Sequence, residues 1–333
     1  MRRLRFLQAM AEAYKQEMAR DGDIILLGED IRSGIRGESK GLHAEFGPAR
    51  VLDTPISEAG FSGFAIGAAM AGLRPVVQFQ VASLIYVAFD QLVNQAAKLR
   101  LMLGGQVDLP ITYTIMASGA RGGQAGQHAD NPYPYLLHAG FKVVAPSCAH
   151  DAKGLLISAI REDDPVFFIA SAGLLGRKAE VPEEAFSVPL GVGRTLRPGR
   201  DVTVIANGNT VPDALAVADE LAGEGIDVLV WEPRSLMPLD INGLCEAVSA
   251  TGRVVLFDDS NRSCGFAAEL AAVIAERVFD SLRAPIRRVT RADITVPFSL
   301  PLEAAVLPGR SALAKAIRTV CDTPIQGEKA CVT

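Results

Sequence analysis

The chain has 333 residues, of which 49% are hydrophobic and 21% charged, with a formal net charge of −5. That length predicts two domains, each able to bury its own core, and the composition excludes disordered, collagen-like and coiled-coil chains. The negative balance, with Lys and Arg scattered rather than clustered, argues against nucleic-acid binding. No apolar run reaches the roughly 18 residues that a membrane span needs, and the opening segment carries charges through a helical pattern without a small-residue cleavage site. The expectation is a cytoplasmic protein with a mature N-terminus and no membrane span. Cys148, Cys245, Cys264, Cys321 and Cys331 form no Cys-x-x-Cys pair and read as reduced thiols.

After a first helix, residues 23–30 form an apolar run closed by acids, the pattern of a buried parallel strand meeting a loop. A long Gly-rich, charged loop follows, with one turn of helix predicted at Gly41 to Phe46. Further strands are predicted at 50–55, 74–80, 108–116, 142–147 and 165–170. Helices are expected from Ser57, from Ser83 to Met102, and from His150. Strands alternating with helices predict an α/β fold, a doubly wound parallel sheet covered on both faces. Residues 171 to about 200 read as a crossover linker, so the first domain is placed at 1–180 and the linker at 181–200. A second, smaller α/β domain is predicted at 201–322, with strands at 201–208, 227–233, 252–259 and 285–290, followed by a frayed tail. One of its helices should start at a Thr210 hydroxyl cap, with Pro212 and Asp213 in its first turn.

The densest chemical signal lies in residues 51–76, VLDTPISEAGFSGFAIGAAMAGLRPV. A strand ending at Asp53, a turn at Pro55 and a cap at Ser57 place Glu58 beyond the carboxyl end of a strand, where open α/β sheets bind ligands. The helix that follows is nearly smooth, with Gly60, Gly63, Gly67 and Gly72 among alanines. Each glycine costs about 1 kcal/mol of helix propensity, so close approach of another backbone is the expected compensation. Taken alone, the helix reads first as a packed core helix with Glu58 favouring the helix dipole. His128 ends the glycine-rich loop ASGARGGQAGQH, and imidazole titrates where proton transfer at neutral pH needs it. His43 and His150 read as structural.

Asp53-Thr54-Pro55-Ile56-Ser57-Glu58, Gly67-Ala68-Ala69 and Gly72-Leu73-Arg74-Pro75 together resemble the beta subunits of pyruvate, branched-chain and acetoin dehydrogenase decarboxylase components, which are transketolase-like. Gly28-Glu29-Asp30, Asp90-Gln91, Gln127-His128, Lys142-Val143-Val144-Ala145-Pro146, Asp151-Ala152-Lys153-Gly154 and Pro238-Leu239-Asp240 extend the resemblance over residues 4 to 320. It implies a pyrimidine-binding domain followed by a transketolase C-terminal domain, and a heteromeric thiamine-diphosphate-dependent 2-oxo acid dehydrogenase. Such an enzyme decarboxylates a small 2-oxo acid, or cleaves acetoin, and passes the acyl unit to the lipoyl arm of an acyltransferase partner.

In such enzymes a carboxyl bonded to the pyrimidine ring nitrogen of the cofactor drives the tautomer that serves as its internal base, a role the resemblance carries to Glu58. It likewise implies proton transfer by His128, a substrate-site position for His138, and cofactor contacts at Ile56, Gln80, Leu84 and Val87. Relatives often carry methionine, an aromatic residue and glutamine near the last three, so the pocket departs from the common pattern. A potassium ion would rest on backbone carbonyls of Ile111, Ala159, Glu162 and Asp164. The Gly-Asp-Gly and Asn that hold Mg2+ for the diphosphate have no counterpart in this chain, which implies that an alpha subunit supplies them in an α2β2 assembly. The smooth helix at 60–72 is then a subunit contact. The rival readings are a split transketolase-like carboligase acting on an aldehyde or ketone, and a non-catalytic scaffold.

Overall fold

Strands made of continuous apolar runs must be covered on both faces, and the helices between them supply the cover. The computed structural model describes residues 2–120 and 122–323 and divides into two units, Met1–Leu190 with Ser235–Pro238, and Gly191–Arg234 with Leu239–Thr333. Cys331 and all but the first residue of the predicted tail lie outside the described residues.

The first unit opens with β1 (Arg2–Arg5) and α1 (Phe6–Arg20). It continues through β2 (Ile24–Gly28), α2 (Leu42–Phe46), β3 (Val51–Asp53), α3 (Glu58–Met70) and β4 (Arg74–Phe79). Next come α4 (Leu99–Met102), β5 (Thr112–Ser118), α5 (Ala125–His128), α6 (Tyr133–His138), β6 (Lys142–Val144), α7 (Ala149–Arg161), β7 (Val166–Ser171) and β8 (Lys178–Val181). Six of these strands form a parallel sheet in the order β6-β7-β5-β4-β2-β3. From β2 the chain moves outward to β3 and then crosses to β4 on the other side, so a topological switch point lies between β2 and β4. In open α/β sheets ligands bind at such a point, outside the carboxyl ends of the strands.

The strand period of two sends Phe167 and Phe168 to opposite faces. Phe168 meets Phe6 of α1 at 6.5 Å between ring centroids, whereas Phe167 stacks on Tyr113 at 4.9 Å and meets Phe141 edge-on at 4.8 Å. On that second face Phe79 packs against Phe61 of α3 at 5.5 Å. The fully buried Lys153 ammonium shares its three N–H groups among Glu12 and the carbonyls of Pro182, Glu183 and Glu184, which pins the chain beyond β8 to α1 and α7.

The second unit contains β9 (Arg194–Arg197), β10 (Val202–Ala206), α8 (Val211–Ala222) and β11 (Val228–Glu232). The chain then contributes β12 (Ser235–Met237) to the first unit, antiparallel to β6, and returns as α9 (Ile241–Thr251). β13 (Val254–Asn261), α10 (Phe266–Val278), β14 (Arg287–Arg291), α11 (Leu300–Val306) and α12 (Arg310–Cys321) complete it. Its sheet runs β14-β13-β10-β11-β9, parallel except for β9. Both units are therefore α/β, as expected. No helix among the described residues is long and apolar enough to cross a membrane. Cys245, Cys264 and Cys321 are free thiols, and burial pushes those of Cys245 and Cys321 up.

Several local expectations are corrected. The helix predicted from Ser83 to Met102 is broken into a 3-10 turn (Ala82–Tyr86), a π-helical turn (Gln91–Ala96) and α4. Ile85, Val87 and Val93 are β-branched and disfavour one continuous helix. The wide turn also brings the Gln91 side chain to Gly63 of α3, where an added Cβ would lie 3.2 Å from Oε1. Ser57 stands at the cap position of α3 but its hydroxyl makes no capping bond, and the single Thr210 O–H is instead shared between the carbonyls of Asn207 and Phe257. The region read as a bare linker contains β8, which pairs antiparallel with β1, and β9.

Candidate active site

Three loops leave the carboxyl ends of β2, β3 and β4 around the switch point, carrying Glu29, Glu58 and Gln80 respectively. Gly28 permits this convergence. Its φ is +150°, and a Cβ there would lie 2.4 Å from the carbonyl oxygen of Gln78 on the neighbouring strand, so only glycine lets β2 end so close to β4. Just beyond, Gln80 Nε2 donates to the Glu29 carbonyl at 2.9 Å and bridges the switch point.

Glu58 is the first residue of α3 and only 4% exposed. Among the described residues its carboxyl makes no hydrogen bond or ion pair with another side chain, so no internal salt link neutralises it. Glu29, which in the sequence stands out only as the centre of Gly28-Glu29-Asp30, belongs to the same group. Burial first, then the charges of Glu58 and of Asp30, push its pKa above the usual carboxylate range, and its Oε1 is buried without a partner. The Thr54 hydroxyl, between β3 and α3, is likewise buried and unpartnered. Unmade bonds on buried polar atoms are costly, so a set of them at a sheet's carboxyl edge marks a place built to receive polar groups of a ligand. The donor chemistry fits an aminopyrimidine, which needs a carboxyl at a ring nitrogen and neighbours able to accept from its amino group.

The remaining predicted cofactor contacts divide. Ile56 and Val87 are 84% and 66% exposed, offering apolar surface at the rim. Leu84 packs against Val81, Ala117 and Ala172. The Gln80 amide is committed within the chain, because Arg36 Nε donates to its Oε1 and Arg36 Nη2 to its carbonyl, each at 3.0 Å. Arg36 was not singled out in the sequence, and neither was Glu38, a fully buried carboxylate that accepts from Gln78 Nε2 at 2.7 Å. Both lie in the long loop after β2, whose length was the available signal.

His128 closes the short α5 and is exposed, as is His138 at the end of α6. The α5 turn lies beside the 82–86 turn that carries Leu84. His150 sits within 3.1 Å of Asp151 and packs on Phe186, and His43 is half-buried in α2, which agrees with structural roles.

The potassium positions lie elsewhere, at the amino ends of β5 and β7, the opposite edge of the sheet. The Ile111 carbonyl accepts from Val166 N–H at 3.0 Å, that of Ala159 from Glu162 N–H at 3.3 Å, and that of Glu162 from Arg74 Nη2 at 2.8 Å. Lys142 Nζ meets Glu162 at 2.9 Å and Asp164 at 2.8 Å, and Arg100 pairs with Asp164. Burial opposes the Lys142 charge, but its bonds to Asp164 and Glu162 outweigh this and raise its pKa. Burial likewise opposes the Asp164 charge, but its bonds to Lys142 and Arg100 hold its pKa down. Arg74, Lys142 and Arg100 thus balance the carboxylates of Asp163, Glu162 and Asp164 around these carbonyls. Among the described residues no three His, Cys, Asp or Glu side chains gather as a metal site.

Residues 3–178 match the transketolase pyrimidine-binding domain, and residues 191–313 the transketolase C-terminal domain. The beta subunit of acetoin:2,6-dichlorophenolindophenol oxidoreductase from Bacillus subtilis is 42% identical over 316 residues, covering 90% of this chain and 92% of that protein. The pyruvate dehydrogenase E1 component subunit beta from Rickettsia felis is 39% identical over 317 residues, covering 94% and 97%. A solved structure titled split gene transketolase, inactive beta4 tetramer, superposes with a TM-score of 0.78 at 22% identity, covering 95% and 97%, and shares the fold. The chain therefore belongs to the transketolase-like family of beta subunits typified by the acetoin and pyruvate dehydrogenase components, and carries both of its domains.

Proposed function

We propose that this chain is the beta half of a heteromeric thiamine-diphosphate-dependent 2-oxo acid dehydrogenase, which with an alpha subunit acts on a small 2-oxo acid or on acetoin and hands the acyl unit to a lipoyl carrier. The observation that carries the reading is the Glu58 carboxyl, placed by α3 at the switch point of the sheet, shielded from solvent and bound to no other side chain. Bound thiamine diphosphate supplies the electron sink for breaking the bond next to the substrate carbonyl.

This chain's residues prepare that chemistry. Glu58 would hold a hydrogen bond at the pyrimidine ring nitrogen, and Glu29, whose pKa is raised first by burial and then by the Glu58 charge, lies within electrostatic range of it. Leu84, with Val87 and Ile56 at the rim, would offer the ring apolar surface. His128 moves a proton at the substrate oxygen. Magnesium and the diphosphate end are left to the alpha subunit.

The test is co-expression with the alpha subunit and assay of 2-oxo acids and acetoin with an artificial electron acceptor. Glu58→Gln should lower turnover by roughly 10²- to 10⁴-fold, the range for losing a positioned acid-base group. Undiminished turnover would make the chain a scaffold, and condensation of the acyl group with an added aldehyde in place of acyl transfer would make it a carboligase subunit.

A further inference from the structure

Among the described residues of the stretch that ends at His128, no repeating ladder holds the backbone. Between β5 and α6 the chain takes left-handed conformations at Gly119, Gly122, Gly123 and Ala125, and α5 is a single turn. The direction of the imidazole therefore depends on how the base of this loop is tied, and the ties converge two residues later. The Asp130 carbonyl accepts from Gly119 N–H at 2.9 Å, and its Oδ1 accepts from the N–H of Asn131 at 2.9 Å. Asn131 is itself held by the Ser118 hydroxyl, which donates to Oδ1 at 2.7 Å. The second carboxylate oxygen of Asp130 accepts from the Tyr86 hydroxyl, at the end of the 3-10 turn that carries Leu84. The Tyr86 ring is fixed in turn, edge-on to Tyr135 at 5.7 Å and to Phe89 at 6.4 Å, while Phe89 and Tyr135 meet at 6.3 Å.

From this arrangement we infer that Tyr86 and Asp130 are positioning residues: their bond locks the His128 loop to the cofactor wall and sets where the imidazole stands over the substrate. The inference rests on the proton-transfer role given to His128 above. Its physical basis is that a catalytic group must be held close to its productive geometry, and a misplacement of about 1 Å can cost a hundredfold in rate. The three-ring cluster presents the Tyr86 hydroxyl with little conformational freedom, and the charged acceptor makes the bond stronger than a neutral pair.

A double-mutant cycle on the complex assembled with its alpha subunit decides the matter. Tyr86→Phe keeps the ring cluster and removes the hydroxyl. It should lower kcat roughly ten- to a hundredfold, leave the KM for the 2-oxo acid and the melting temperature nearly unchanged, and distort the limb of the pH-rate profile that His128→Ala abolishes. In the His128→Ala background Tyr86→Phe should have no further effect, because there is no imidazole left to place. Asp130→Asn, which can still accept from the hydroxyl, should retain more activity than Asp130→Ala. Wild-type kcat in Tyr86→Phe, or the same fractional loss with and without His128, overturns the inference while leaving the role of His128 intact. Full activity in His128→Ala removes that role and the inference with it.

Discussion

At the scale of single residues, Glu29 links the chemistry of the site to the stability of the fold. Its pKa is raised above the ordinary 4.5, first by burial and then by Glu58 and Asp30. An acid with a raised folded-state pKa binds its proton more tightly when native, so its contribution favours the folded chain below the unfolded pKa and is lost as pH rises through the folded one. Glu29→Gln should therefore flatten the fall in melting temperature on going upward from about pH 4.5, and should make the variant relatively more stable at neutral pH. Identical slopes for the two proteins would disprove this account. Glu58 and His128 stand out in the sequence as candidates because each lies inside a dense local motif. The sequence could not expose the grouping of Glu29 with Glu58, or the pairing of Arg36 with Gln80 and of Tyr86 with Asp130. Each pair is separated by 29 to 44 positions and meets only through the strand order.

At the scale of elements, continuous apolar runs identified the parallel strands, because burial on both faces leaves a strong signal. Helix 83–102 failed as one element because neighbour packing, invisible in periodicity, favoured a wide turn that seats Gln91 against α3. β1 and β8 escaped notice because each is only four residues long: β1 carries three arginines, and the alternation of Lys178-Ala179-Glu180-Val181 in β8 is too brief to show a period. The turn between α7 and β7 was expected to hold potassium, yet its charges are balanced from within by Arg74, Arg100 and Lys142. A bound ion stabilises the folded state by mass action, so a potassium site would appear as a melting temperature that climbs with KCl but not with NaCl. The expected outcome is the same melting temperature in both salts at equal ionic strength, and a potassium-specific rise would restore the carbonyl site.

At the scale of the whole molecule, the two α/β units were legible from the restart of strand and helix alternation near residue 201, whereas the return of β12 to the first sheet was not, since three residues carry no period. Assembly is the remaining question at this scale, and α3 frames it. One flank of the helix is buried through Phe61, Ala65 and Ile66, while Gly60, Gly67 and Ala71 are exposed on the other with Phe64 53% and Met70 46% accessible. Nothing within 4 Å would touch a Cβ added at Gly67, so the fold of this chain does not require glycine there. Replacing it within a helix should even gain up to about 1 kcal/mol of propensity. If the bare flank instead exists to let another subunit's backbone approach, Gly67→Leu will leave the isolated chain as stable as before or slightly more so, yet prevent recovery of the proposed α2β2 complex on co-expression. Sedimentation of the co-purified subunits separates the two cases: intact heterotetramer in Gly67→Leu would show that this face of α3 lies outside the subunit contact, and free beta chain with an undiminished melting temperature would place it inside.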